Sequence, residues 1–189
     1  MRLLVILLVI LLGCRGQTPV TLVPPRSLII HADTEFTPTE REIIHRATDT
    51  LMSEVGMRVD VRYDLDFGKV EHLARFQNVT QLMRIARDAQ LTRDMDSRYR
   101  GIVFGWSVYA NPPRVYVAAD VLNGGEVLYL HVVIHELLHA VGCDHVSDPN
   151  AVLYWQTDLK HQAVKLTEAD RLELARALTP FGGIAGQKH

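Results

Sequence analysis

Cysteine is nearly absent from this 189-residue chain: Cys14 and Cys143 are the only two, and their surroundings differ so much that no disulfide between them is expected. A long basic run is missing as well. Twenty Lys and Arg stand against 22 Asp and Glu, for a net charge of -2 and a pI of about 6.5. That balance excludes the electrostatic footprint of a nucleic-acid binder and gives no basis for steering a substrate by charge. Apolar runs are short, since Leu3 to Leu12 covers only about half of what a bilayer span needs. There is no internal repeat and no appended binding module. What remains is 48% hydrophobic and 22% charged, enough for one well-buried domain and too little for two.

Met1-Arg2 followed by Leu3 to Leu12 has the positive end and short apolar core of an export signal. The junction Leu11-Leu12-Gly13-Cys14 resembles the lipobox of bacterial lipoproteins, which implies a signal peptide over 1–13 and an acylated Cys14 at the head of the mature chain. The alternative is an ordinary signal peptide cut near Gly13. Acylation would hold the protein at a membrane, each buried CH₂ contributing about 0.8 kcal/mol, and so places it in the cell envelope on the periplasmic or cell-surface side. Residues 14–26, with proline at 19, 24 and 25, read as an extended tether. The domain is expected over 27–180, with a glycine-rich tail over 181–189.

The chemistry is concentrated in His135-Glu136-Leu137-Leu138-His139-Ala140-Val141-Gly142-Cys143-Asp144-His145. On a helix, His135 and His139 lie about 40° apart around the axis and about 6 Å apart along it, so both imidazoles can reach one ion. Were the helix to continue, His145 would lie about 9 Å past His139, too far for a Zn–N bond of about 2.1 Å. Gly142 can end the helix, because glycine adopts a left-handed C-cap without a Cβ penalty. The chain then turns back and His145 becomes the third ligand. Three neutral imidazoles leave zinc its charge and one open corner, where a water would have its pKa lowered to about 7. Glu136 is placed to take that proton. The bland alternative is a histidine-rich helix with no metal.

This stretch resembles the zinc-binding signature of the metzincin metalloproteases, and Asp148 to Trp155 resembles the methionine turn of their matrixin branch. The resemblance implies that His135, His139 and His145 are zinc ligands and Glu136 the general base. Gly142, Leu153 and Tyr154 would form the turns of the active site, with Leu153 where the family has methionine and Trp155 where it usually has proline. Leucine can still supply an apolar floor. Tyr154 and Trp155 could equally be ordinary aromatic core. No matrixin cysteine switch surrounds Cys14, and no room for a sizeable inhibitory propeptide is expected.

The other elements follow from patterning. Ser27 to Ala32 reads as a buried strand, and Thr37-Pro38-Thr39-Glu40 starts a helix carrying Ile43, Ile44, Ala47, Leu51 and Val55 to Gly56. Val59 to Phe67 alternates as a half-buried strand. Asn78 to Met95, with Leu82, Ile85, Ala86 and Ala89 at helical spacing, reads as a second helix capped at Asn78 or Thr80. Ile102 to Trp106 reads as a short strand. After Pro112-Pro113, the run Arg114, Val115, Tyr116, Val117, Ala118 to Ala119 reads as an edge strand, and the family resemblance implies that it binds substrate antiparallel; the alternative is a plain sheet strand with a free edge. Val127 to Val141 is apolar nearly all round and predicts a buried helix.

His131 is expected to pack rather than ligate, and Cys143 to be a small buried residue. Thr157 to Lys165 is polar and irregular, and the metzincin resemblance implies that it forms a wall of the pocket for the residue after the scissile bond. Thr167 should cap a last helix whose apolar stripe is Leu172, Ala175 and Leu178.

The expected fold is α/β (α+β), zincin-like, with a mixed twisted sheet of about five strands, an antiparallel edge strand, and helices including the metal helix. The expected function is a zinc-dependent endopeptidase acting on protein or peptide substrates, lipid-anchored in a bacterial envelope, a monomer by default. No pattern assigns calcium. Rival readings are an inactive metzincin-like lipoprotein that binds a peptide partner, and a zinc-loaded structural envelope protein.

Overall fold

A computed structural model describes residues 27–65, 79–86, 89–99, 104–108, 112–156 and 162–178. The chain order is β1 (Ser27–Asp33), α1 (Pro38–Val55), β2 (Arg58–Leu65), β3 (Val79–Ile85), α2 (Gln90–Tyr99), β4 (Gly105–Val108), β5 (Arg114–Ala118), α3 (Glu126–Ala140) and α4 (Glu168–Leu178), with a 3-10 turn at Val121–Gly124. The five strands form one sheet in the order β2-β1-β3-β5-β4. All pairings are parallel except β4 with β5. A mixed α/β sheet with an antiparallel strand at its edge is therefore present, as expected.

Local chemistry explains α1. Thr37 and Glu40 form a reciprocal capping box, the Thr37 hydroxyl accepting from the Glu40 amide at 3.3 Å and the Glu40 carboxylate from the Thr37 amide at 2.7 Å, with Pro38 in the first turn. Gly56 ends the helix at φ +67°, where residues other than glycine are strained.

Helices α1 and α3 pack on each other and on the sheet. Ile30 and Ala32 of β1, Leu82 of β3 and Val115 and Val117 of β5 are fully buried against Ile44 and Ala47 of α1 and Val133, Ile134, Leu137 and Leu138 of α3. Every residue of α3 from Leu128 to His139 is buried, so the helix carries the site into the core. No described helix is long and apolar enough to cross a membrane.

Three expectations are corrected. Residues Val79–Ile85 are a strand, and the helix begins only at Gln90; β3 lies between β1 and β5 with buried residues from Val79 to Met83, so the period-two alternation that marks a half-buried strand is lost. Arg114, Val115, Tyr116, Val117 and Ala118 are not an edge strand, because β5 pairs with β3 on one side and β4 on the other. Pro113 is tolerated there because it precedes the strand and contributes only its carbonyl, which accepts from the Gln81 amide at 2.9 Å. The edge on that side of the sheet is β4, which starts three and ends two residues later than the expected run Ile102 to Trp106, of which 102 and 103 lie outside the described residues. Finally, α4 buries Asp170 and Leu174, while Leu172 is 64% exposed and Ala175 is exposed. Its inner face is rotated from Leu172 and Ala175 toward Leu174, Ala177 and Leu178.

Residues 1–26, which include Cys14 and the tether, lie outside the described residues. So do Phe67, Asn78, 157–161 of the expected pocket wall, and the tail over 181–189.

Candidate metal centre and active site

Helix α3 sets the first two imidazoles one turn apart and anchors each through Nδ1. His135 Nδ1 lies 2.7 Å from the Val152 carbonyl and His139 Nδ1 2.8 Å from that of Cys143. A carbonyl only accepts, so both Nδ1 atoms carry the proton and both Nε2 atoms present bare lone pairs.

The helix stops where glycine permits it. Gly142 has φ +103°, its amide donates to the His139 carbonyl at 2.9 Å, and the Cys143 amide donates back to Leu138 at 3.1 Å. This reversal returns the exposed His145 to the helix. His139 Nε2 then lies 3.0 Å from His135 Nε2 and 3.1 Å from His145 Nε2. At His135 and His139 no proton is left to bridge that gap, so the lone pairs repel each other unless a cation sits among them. Nitrogens about 2.1 Å from one tetrahedral ion lie about 3.4 Å apart, which a small outward tilt of the rings supplies. The residues fit zinc.

Burial keeps these groups in the ligand form. His135 is pushed down to about 3, first by desolvation and then by its histidine neighbours. Burial likewise lowers His139 and His145. Glu136, 5% exposed, is pushed up to about 8 by desolvation, against which a hydrogen bond from Ser107 pulls it down. On the helix that carries the first two imidazoles, this carboxyl is placed to take and return a proton.

Two further segments hold the ligands. The turn at Ala151–Tyr154 presents the Val152 carbonyl to His135 and is itself pinned by Asp170 of α4. That fully buried carboxylate accepts from the amides of Val152 at 3.0 Å and Leu153 at 2.8 Å, and from the amide and hydroxyl of Thr167 at 2.8 and 2.9 Å. Leu153 is fully buried in the main core, in keeping with an apolar floor, and its carbonyl accepts from Val146 beside His145 at 3.1 Å. The Asp144 amide, on the other side of His145, donates to Glu173 at 2.6 Å. One helix thus braces both loops of the site.

Sequence reasoning singled out the three histidines, Glu136, Gly142, Leu153 and Tyr154, and they come together here. Tyr154 is half-buried, whereas Trp155 is 64% exposed and is not core. His131 is buried with Nδ1 at 2.7 Å from the Ala163 carbonyl and stands outside the group of three, and Cys143 is fully buried with its thiol pushed up by burial. Asp170 and Ser107 were missed. The spacing Thr167-x-x-Asp170 is a capping signature that marks Asp170 as more than a charge in a first turn; Ser107 lies just past the predicted end of its strand and gives no such signal.

A family model described as matrixin matches residues 31–177. The chain belongs to the matrixin family. Among solved structures, this matrixin is similar to archaemetzincin from Methanopyrus kandleri, at 22% identity and a TM-score of 0.53 over 82% of this chain and 96% of that one. It is also similar to a zinc-dependent peptidase from Methanocorpusculum labreanum, at 15% identity and a TM-score of 0.50 over 78% of this chain and 99% of that one. Identities this low speak for the fold alone. No curated protein matches the sequence. The matrixin family and the three-histidine centre make this a zinc metallopeptidase-like protein with zinc as its cofactor.

Proposed function

We propose that this matrixin is a zinc-dependent endopeptidase, anchored by an acylated Cys14 in a bacterial cell envelope. The observation that carries the enzymatic part is the meeting of three Nε2 atoms beside a buried carboxylate on the same helix. A purely structural site would not need Glu136. Zinc, when bound, acidifies a water and draws charge from a carbonyl oxygen. Glu136 takes the proton from the attacking water and delivers it to the leaving amine. His135, His139 and His145 hold their neutral tautomers throughout, fixed at two of the three by backbone carbonyls.

Cleavage within a chain, rather than at its end, is supported by β4. Among the described strands it pairs on one side only, with β5, and an extended peptide can add to such an edge by main-chain hydrogen bonds. Ser107 of the same strand touches Glu136, so a peptide laid along β4 would run past the centre with chain on both sides of the scissile bond. The expected role of binding substrate therefore moves from Arg114–Ala118 to Gly105–Val108.

A broad peptide-library digest tests the reading. The zinc-loaded protein should cut at internal positions, and Glu136→Ala should abolish cutting while keeping the metal; a zinc-loaded protein that cuts nothing across the library rejects it. Anchoring rests on Leu11-Leu12-Gly13-Cys14. Cys14→Ala should release the protein from membranes into the soluble fraction, and an unchanged membrane fraction rejects acylation there.

A further inference from the structure

Register dictates what β4 turns toward α3. Ser107 pairs with Val115, which pairs with Leu82, which pairs with Ala32, and Gly105 pairs with Val117. Directly paired residues share a face of a sheet, and Val115, Leu82, Ala32 and Val117 all belong to the core. Gly105 and Ser107 therefore look inward at the metal helix.

Each has a specific relation to Glu136. The Ser107 hydroxyl lies 2.8 Å from Glu136 Oε2 and 3.0 Å from the Glu136 carbonyl oxygen, so one proton is shared between both ends of the same residue. Gly105 makes that approach possible. A Cβ there would come within 2.9 Å of Val132 Cγ1, 3.0 Å of Glu136 Cγ and 3.1 Å of the Tyr116 carbonyl oxygen, so any side chain would push the strand off the helix.

We infer that Gly105 and Ser107 of the edge strand are positioning residues for the general base, glycine setting the distance between strand and helix and serine fixing the Glu136 carboxylate. This rests on the endopeptidase reading for its catalytic meaning. Glu136 is otherwise a flexible side chain with three rotatable bonds, and no other described side chain is seen to hold its carboxylate. Proton transfer requires the carboxylate within hydrogen-bond reach of its partner, and a displacement of about 1 Å can cost about a hundredfold in rate. The same strand that would receive the peptide would thereby also fix the base.

The test uses the zinc-loaded full chain with Ser107→Ala, Ser107→Thr, Gly105→Ala and Glu136→Ala, read by kcat and KM on the best library peptide, by zinc content, and by crystal structures of wild type and Ser107→Ala. Ser107→Ala should lower kcat about ten- to hundredfold with KM and zinc content unchanged, and should leave Glu136 in more than one rotamer. Ser107→Thr keeps the hydroxyl and should recover kcat to within about threefold. Gly105→Ala should move β4 away from α3 and lower kcat in the same way. A Ser107→Ala enzyme with wild-type kcat, or a failure of Ser107→Thr to recover it, overturns the assignment. If wild type cleaves nothing, the endopeptidase reading falls. The crystal structures still decide this one: Glu136 in a single unchanged rotamer without Ser107 overturns it.

Discussion

Replacing Asp170 by alanine should cost this matrixin far more than a first-turn acidic residue normally would. Its carboxylate is fully buried and accepts four hydrogen bonds, three from the backbone amides of Val152, Leu153 and Thr167 and one from the Thr167 hydroxyl. Alanine has no acceptor. The Val152 and Leu153 amides are left inside the protein without partners, each costing about 1–3 kcal/mol, and the carboxylate half of the α4 capping box, which accepts from Thr167, is lost at about 1 kcal/mol more. The expected destabilisation is therefore about 3–7 kcal/mol, in the upper tail for single substitutions. Asp170→Asn keeps one accepting oxygen, but points an amide N–H₂ at donors, and should lose about half as much.

The damage should reach the metal. Val152 gives its amide to Asp170 and its carbonyl to His135 Nδ1, so freeing the turn frees the ring. Loss of an outer hydrogen bond to a metal-ligating histidine typically lowers affinity about 10- to 100-fold. Urea unfolding of metal-free protein measures the first effect, and zinc competition with a chromophoric chelator the second. Thr167→Ala, which leaves the Val152 and Leu153 bonds in place, serves as the control and should cost only about 1 kcal/mol. If Asp170→Ala unfolds within 1 kcal/mol of wild type, or binds zinc as tightly, the turn is held by something other than this carboxylate.

Three further outcomes follow from the same geometry. His135 titrates at about 3 when folded against 6.5 when free, so between those values only the unfolded chain holds its proton; metal-free stability is full above pH 6.5 and should fall by about 1.4 kcal/mol per unit as pH drops toward 3. His139 and His145 are shifted in the same direction and add to the slope; urea midpoints from pH 7.5 to 5 test this, and a slope unchanged in His135→Gln refutes it. Gly142→Ala should cost about 1–3 kcal/mol and weaken zinc binding, purely through φ +103°, since the added methyl meets nothing nearer than Ala177 Cβ at 3.8 Å; normal stability and affinity would reject that account. Leu153→Met, a near-isosteric change at a fully buried position, should shift stability by less than about 1.5 kcal/mol and leave zinc affinity and any cleavage rate within a few fold, which chelator competition and peptide kinetics measure.

The metal centre was legible because its determinants are local. Two histidines four apart on a helix, and a glycine that must end that helix before a third, fix the geometry within eleven consecutive residues. The strand order was less so. Leu82, Ile85, Ala86 and Ala89 fall at helical spacing, yet they straddle the end of β3 and the approach to α2, and a strand covered on both faces loses the alternation that would have distinguished it. The prolines before Arg114 were a sound signal for a strand's first residue and misled only about which strand had a free side. In α4 the apolar spacing was overridden by a polar group: Asp170 is turned inward by four donors, and the hydrophobic residues follow it, leaving Leu172 in solvent.

These failures share a cause. Asp170 and Ser107 gain their roles at the site from residues 17–18 and 29 positions away; the local Thr167-x-x-Asp170 spacing marks a helix cap but not the turn that Asp170 pins, and nothing adjacent marks Ser107. The histidine motif specifies which atoms can grip a metal; whether they are held still enough to do so is decided by a helix and a strand that the motif does not contain. A transplanted His135–His145 segment without an Asp170-like clamp on its turn and a Ser107-like grip on its glutamate would keep the ligands and lose the alignment. The function therefore belongs to the packing of β4, α3 and α4 as much as to the motif.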